Sequence, residues 1–308
     1  MRLTTAFLLS LALCAATLCA TAAATAAKPS KVDFYVVAHA DDWQLFMGDR
    51  AYADIRDKHK VVFVYASAGD ANLGADYWHT RESAANASAQ FVVDLPTADV
   101  VGRGTSACST QQVGGHPLQR CVYGNTVSYF MRLPDGNLDG AGFENNRFQS
   151  LKKLREGGID SIAALDGTST YKGWADFHQT IREIIKTESD KRAPRDVSVH
   201  TQEHDPALTP SDHSDHMMTG LAVAEAVKGT SLGARYYVGY DIKKRPPNLS
   251  SAASMYKSGV FMVYERTMQS KAQKTTFCEL PVSYSSWLFR TYYRTADGGE
   301  RPRASSPR

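Results

Sequence analysis

Two short stretches of the chain are apolar at almost every position. Asp33 to Ala38 (D-F-Y-V-V-A) and Lys60 to Ala66 (K-V-V-F-V-Y-A) are rich in β-branched and aromatic residues and read as buried strands. Between them, Leu45, Phe46, Ala51, Ala53 and Ile55 recur at helical spacing and predict a helix over Trp43 to Lys58. Further helices are predicted at Tyr77 to Phe91, at Trp174 to Lys186 (Trp174, Phe177, Ile181, Ile184 and Ile185 on one face) and at His213 to Val227. Val197 to His200 is another short strand, and Arg235 to Tyr240 and Ser251 to Tyr264 complete the series. Strands alternating with helices predict an α/β, Rossmann-like three-layer fold: a mainly parallel sheet covered on both faces. Crossovers of one hand then gather the long loops along the C-terminal edge of that sheet, where such folds bind ligands. From Gly102 to Gly142 the chain reads as mostly irregular, apart from a strand at Val127 to Leu133. Residues 295–308, dominated by Gly, Pro, Arg and Ser, read as a flexible tail.

The first residues follow another pattern. Arg2, an apolar run from Ala6 to Ala20 and small A-x-A sites up to Ala27 describe a secretory signal peptide over residues 1–27. The strong hydrophobes form too short a run for a membrane span of about 20 residues. A lipoprotein signal fits poorly, because Cys14 and Cys19 each follow a Leu. The mature chain is therefore expected in the periplasm, the cell envelope or the medium. Cleavage would leave Cys108, Cys121 and Cys278. In an oxidising compartment Cys108 and Cys121 are expected to pair across the Gly-rich segment between them, rather than persist as buried thiols.

With 308 residues, 43% of them hydrophobic, the chain is long enough for a substantial core. A net charge of +3 with scattered Lys and Arg gives no basic face for a nucleic acid.

Two clusters carry candidate chemistry. Ala38-His39-Ala40-Asp41-Asp42 ends the first strand, and His213-Ser214-Asp215-His216 opens a helix. A neutral imidazole and a carboxylate suit zinc or a similar divalent ion, and His39 and Asp42 lie three apart across one turn. Asp41, between them, is left to handle protons. His213 and His216, also three apart, share a helical face, and Ser211 or Asp212 would cap that helix. Alone, either cluster is more often a helix cap or a solvated face than a ligand set. Together they supply three ligands and an open position, the pattern of a catalytic metal.

The paired clusters resemble the A-H-P-D-D-E and H-P-D-H motifs of the PIG-L/LmbE-like deacetylases. The resemblance spans roughly Val32 to Lys257 and takes in Ser67-Ala68-Gly69-Asp70, Arg81-Glu82 and Leu133-Pro134-Asp135-Gly136. It implies a deacetylase domain over residues 28–294 that binds Zn2+ (or another divalent ion) through His39, Asp42 and His216. It further implies a metal-held water as nucleophile, Asp41 as general base, and His213 as oxyanion donor or proton carrier, oriented by Asp215. The substrate would be an N-acetylated amino sugar, either a small molecule or a glycan. Ala40 and Ser214 stand where the family has Pro, Trp43 where it commonly has Glu, and Ala68 where the inositol-sugar branch has Arg. The chemistry survives these departures; the familiar substrate need not. Two other readings stay open: a zinc hydrolase of other amides or esters, and a secreted carbohydrate-binding protein of the same fold without turnover.

Other residues have more ordinary readings. Trp43 packs the first helix sooner than it stacks on a sugar, and His204-Asp205 and Asp135-Gly136 read first as turns. Arg81 and Glu82 read equally as substrate contacts or a surface ion pair. His116 reads as exposed or as part of a lid, and Tyr236, Tyr237 and Tyr240 as strand packing.

Overall fold

In a computed structural model of the protein we describe residues 29–95, 104–271, 273, 284–296 and 300–302. The expected signal peptide and Cys278 lie outside them. At the centre are β1 (Val32–Val37), β2 (Lys60–Ser67) and β8 (Val197–Gln202), with β8 and β2 each parallel to β1. Farther out, β5 (Thr126–Leu133) runs parallel to β2 and β9 (Ala234–Tyr237) parallel to β8. These five strands form the parallel core of a nine-stranded sheet.

β1 and β2 are buried on both faces, which is why they read as nearly unbroken apolar runs. Phe34 and Val36 of β1 face one side with Val62 and Val64. There they meet α3 (Leu151–Glu156), α4 (Gly173–Ser189) and α5 (Ser214–Val227), through Leu154, Ile181, Ile184 and Val223. Tyr35 and Val37 face the other side with Phe63 and Tyr65. They pack against α1 (Asp42–Arg56), α2 (Ala75–Asp94) and α6 (Ser251–Ser270), through Phe46, Ile55, Ala85 and Phe261. Trp43 is fully buried here, stacked on Phe63 with its indole N–H donated to Tyr65 at 3.0 Å. Its role is packing. Ile181 is wholly buried in the opposite layer. Ile181→Ala should cost about 2–5 kcal/mol, read as a lowered urea midpoint at unchanged slope.

The stretch from Gly102 to Gly142, described from residue 104 on, is more ordered there than expected. It holds β3 (Ala107–Val113) and β4 (His116–Tyr123), an antiparallel pair that extends the sheet beyond β5. Gly114 and Gly115 join them with φ of 59° and 89°, the positive angles that a two-residue hairpin turn needs. This register sets Cys108 opposite Cys121, and the two are bridged. His116 is neither exposed nor part of a lid: it is buried, stacked on Tyr171, with Nε2 2.9 Å from Asp176. A two-stranded ribbon, β6 (Ser161–Ala163) with β7 (Thr170–Lys172), lies apart from the main sheet. At the other edge, β10 (Tyr292–Thr295) pairs antiparallel with β9 and with β11 (Glu300–Pro302). The sheet thus enters the segment from residue 295 onward that the composition had marked as tail. No helix among the described residues is long and apolar enough to cross a membrane.

The strand order explains why distant motifs meet. From β1 the chain moves outward through β2 to β5, then returns to build β8 and β9 on the opposite side of β1. The order therefore reverses between β1 and β8, and a crevice opens beyond the C-terminal ends of such a strand pair. The loops after β1 and β8 are neighbours there, tied by the Ala38 N–H to the Gln202 side chain at 2.8 Å.

Candidate active site

Both histidine clusters lie at this reversal point. Residue Asp41 is the N-cap of α1, but its side chain makes no cap hydrogen bond and faces a cavity of about 390 Å³. Asp42 also lines the cavity but is buried, and accepts the His39 N–H. His213, not Ser211 or Asp212, is the N-cap of α5: its Nδ1 accepts the Asp215 N–H at 3.1 Å. His216 is completely buried one turn on.

Three donor sets converge. His39 Nδ1 is 3.3 Å from His216 Nε2, His216 Nε2 is 3.1 Å from Asp42 Oδ1, and His39 Nδ1 is 3.4 Å from Asp42 Oδ2. A tetrahedral ion about 2.0–2.1 Å from each ligand needs ligand atoms about 3.3 Å apart. The triangle fits. The surroundings also favour positive charge: burial opposes protonation of His216, yet Asp42 and Asp212 outweigh it and raise its pKa to about 9. His39 is likewise held well above its usual value, Asp42 and Asp215 overriding burial. Carboxylates that favour an imidazolium at this point favour a metal cation equally.

Each imidazole is backed by a carboxylate on its far nitrogen. His216 Nδ1 lies 2.8 Å from Asp212 Oδ1, and His39 Nε2 lies 3.4 Å from Asp215 Oδ2. Such partners fix the ring and its tautomer. Asp212, which the sequence suggested only as a cap, is held in turn by the N–H groups of His213 and Tyr240. Asp212→Ala should weaken metal binding about 10- to 100-fold, measured by competition with a chromophoric chelator.

The expected pairing of Asp215 with His213 takes a different form. The Asp215 carboxylate is directed to His39 and to the Gly136 N–H at 2.8 Å, and its nearer oxygen lies 4.0 Å from His213 Nδ1. It is the Asp215 backbone that fixes His213. Because Nδ1 accepts that N–H, the neutral ring carries its proton on Nε2. Burial, then the proximity of His39 and His216, pushes the His213 pKa down to about 4, so the ring is a neutral donor near pH 7.

Asp41 is not free. Arg81, buried in α2, donates Nη2 to Asp41 Oδ1, Nη1 to the Gly69 carbonyl at 2.8 Å and Nε to the Tyr264 hydroxyl at 2.9 Å. Arg81 is therefore an internal clamp, whereas Glu82 pairs with Arg132. Asp135 makes the expected turn, accepting the Asn137 N–H, and also lines the cavity with Oδ1 3.6 Å from His213 Nε2 and Oδ2 4.0 Å from His39 Nε2. The glycine after it is obligatory, since a Cβ on Gly136 would strike the Asp215 carboxylate. Tyr240 also leaves its expected role: it sits beyond β9, against the His216 ring at 5.0 Å, on the cavity wall. Tyr236 and Tyr237 do pack the strand, and Asp205 makes the expected turn, accepting the Ala207 N–H.

Two solved structures of similar architecture are a deacetylase of the teicoplanin biosynthesis pathway and N,N'-diacetylchitobiose deacetylase from Pyrococcus horikoshii. The first is 13% identical over 77% of this chain and 84% of that one, with a TM-score of 0.45. The second is 13% identical over 77% and 70%, with a TM-score of 0.40. Likenesses this remote carry no argument about substrate. No curated protein matches the sequence. The profile of PIG-L, GlcNAc-PI de-N-acetylase, matches residues 34–227, from within β1 to the end of α5 and so across both histidine clusters. The chain belongs to the PIG-L family.

Proposed function

We propose that the protein is a secreted, zinc-dependent deacetylase that removes the N-acetyl group of an amino sugar or a sugar-like molecule. The observation that carries this reading is the triangle of His39, Asp42 and His216 at the cavity, with Asp41 and His213 beside it. His39, Asp42 and His216 would hold the ion. When bound, zinc supplies Lewis acidity and a water acidified to a pKa of about 7.

The chain's own residues do the rest. Arg81 holds Asp41 Oδ1, which leaves the second oxygen to take a proton from the attacking water and return it to the departing amine. His213 presents its Nε2–H to the charge that develops on the acyl oxygen, an effect worth about 3 kcal/mol in comparable sites. Asp212 and Asp215 hold the two ligand rings in place. Secretion is supported by the apolar, small-residue N-terminus and by the Cys108–Cys121 bridge, which an oxidising compartment preserves.

The test is acetate release from a panel of N-acetylated sugars by zinc-loaded protein. Turnover of at least one member, abolished by a chelator and restored by zinc, is expected. Ester or other amide hydrolysis without acetate release would move the protein to a different hydrolase class. Glycan binding without any turnover would make it a binding protein.

A further inference from the structure

The nine-stranded sheet ends in two unlike edges. At one, β11 is three residues long and reads Glu-Arg-Pro, so charge and a proline blunt it. At the other, β3 runs for seven residues, Ala107–Val113, with no charge, no proline and no bulge against β4. Residues 107–112 are all exposed. Their side chains alternate between the two faces, so neither helical layer overhangs this edge.

The hairpin fixes which backbone groups face outward. Across a two-residue turn the flanking residues, here Val113 and His116, exchange both hydrogen bonds, and bonded and non-bonded pairs alternate from there. Gln112 therefore faces Pro117, which has no N–H, in a non-bonded pair. Cys108 and Cys121 form another, and their Cα atoms, 4.0 Å apart, keep the narrow spacing of such pairs rather than the bonded spacing of about 5.5 Å. Cys108, Thr110 and Gln112 thus point their N–H and C=O groups away from β4. Among the described residues the partner on that side is the Gln111 side-chain amide, 3.4 Å from the Gln112 carbonyl.

We propose that β3 pairs antiparallel with β3 of a second copy of this chain, about a two-fold axis at Thr110, and so joins two sheets into one. In that register Thr110 faces its own copy, Cys108 faces Gln112 and Ser109 faces Gln111. Every outward N–H and C=O of Cys108, Thr110 and Gln112 then finds a partner, in the self-complementary contact of a two-fold dimer. A charged strand paired this way would bring like charges together, whereas this one sets Thr against Thr, a favourable pair. That self-complementarity favours a second copy over an unrelated extended segment. The Cys108–Cys121 bridge holds the hairpin in shape beforehand, so little order is lost on pairing. Both crevices stay open, because β1 and β8 lie mid-sheet. One strand is a small interface, and the dimer is weak, with a Kd of about 1–100 μM.

The experiment is sedimentation equilibrium of the zinc-loaded, disulfide-bridged protein from low to several hundred micromolar, with amide hydrogen exchange at both ends of that range. A reversible dimer is expected. The amides of Cys108, Thr110 and Gln112 should gain at least about tenfold protection at the high end, while those of Ser109 and Gln111, bonded to β4, are protected throughout. Thr110→Lys should weaken the dimer at least about tenfold at low salt, through the paired charges, and much less at about 1 M salt. Thr110→Pro removes the central outward N–H where an edge tolerates proline, and should weaken it at least about tenfold at either salt. Met255→Lys, at an exposed position on α6, should leave it unchanged. A monomer at every concentration would overturn the proposal. So would outward amides protected equally at both ends of the range, or a dimer that both Thr110 variants leave intact.

Discussion

Replacing Asp41 by asparagine is expected to lower acetate release by about a hundred- to ten-thousandfold while zinc stays bound. The two consequences separate because Asp41 lies outside the ligand triangle, whose members are His39, Asp42 and His216. Asparagine keeps an oxygen that accepts from Arg81, so the clamp to Gly69 and Tyr264 persists and the fold of the site is preserved. What disappears is a group that can take a proton. Turnover at saturating substrate together with zinc stoichiometry is the measurement. A variant retaining more than about a tenth of the activity would show that another carboxylate is the base, with Asp135, 3.6 Å from His213, the first candidate.

Replacing His216 by alanine is expected to abolish both zinc retention and acetate release, because it removes one corner of the triangle and the ring that Asp212 orients. It should also destabilise the metal-free protein by about 3–5 kcal/mol, since the buried carboxylates of Asp42 and Asp212 lose the partner they share. That second effect is diagnostic. If the loss comes from stranded buried charge, then the double variant His216→Ala/Asp212→Ala should be more stable than the two single losses added together, by about 0.5–3 kcal/mol in urea unfolding. Strict additivity would mean that Asp212 and His216 are not coupled.

The parts of the fold legible in the sequence are those with a short β-branched or apolar run or a helical period. β1, β2, β8 and α1, α2, α4 and α5 all fall where the pattern puts them, within a few residues at their ends. The β3–β4 hairpin was hidden because β3 (A-C-S-T-Q-Q-V) is exposed at all but its last position and so has no apolar alternation. Its Gly114-Gly115 pair was a turn signal available in the sequence. The short β10 and β11 lie at an edge and owe their structure to β9, not to their own composition.

The same division holds at the site. His39, Asp41, Asp42, His213, Asp215 and His216 stand out because several residues of ligand or acid–base type crowd two short segments. Asp212 and Asp135 do not stand out: a carboxylate before a helix looks like a cap and one before a glycine looks like a turn. Only the meeting of the loops after β1, β5 and β8 reveals what they touch. For Asp212 a local hint existed, the spacing of four to His216. Arg81 was marked only by the resemblance, with nothing to link it to Asp41, 40 positions away, which it reaches because α2 packs beside α1.

The most direct measurement is a crystal of the protein grown with zinc and recorded on both sides of the zinc absorption edge. One strong anomalous peak is expected about 2.0–2.1 Å from His39 Nδ1, His216 Nε2 and an Asp42 oxygen, open toward Asp41 and His213. A peak bound elsewhere, or none with those three side chains turned apart, would contradict that expectation.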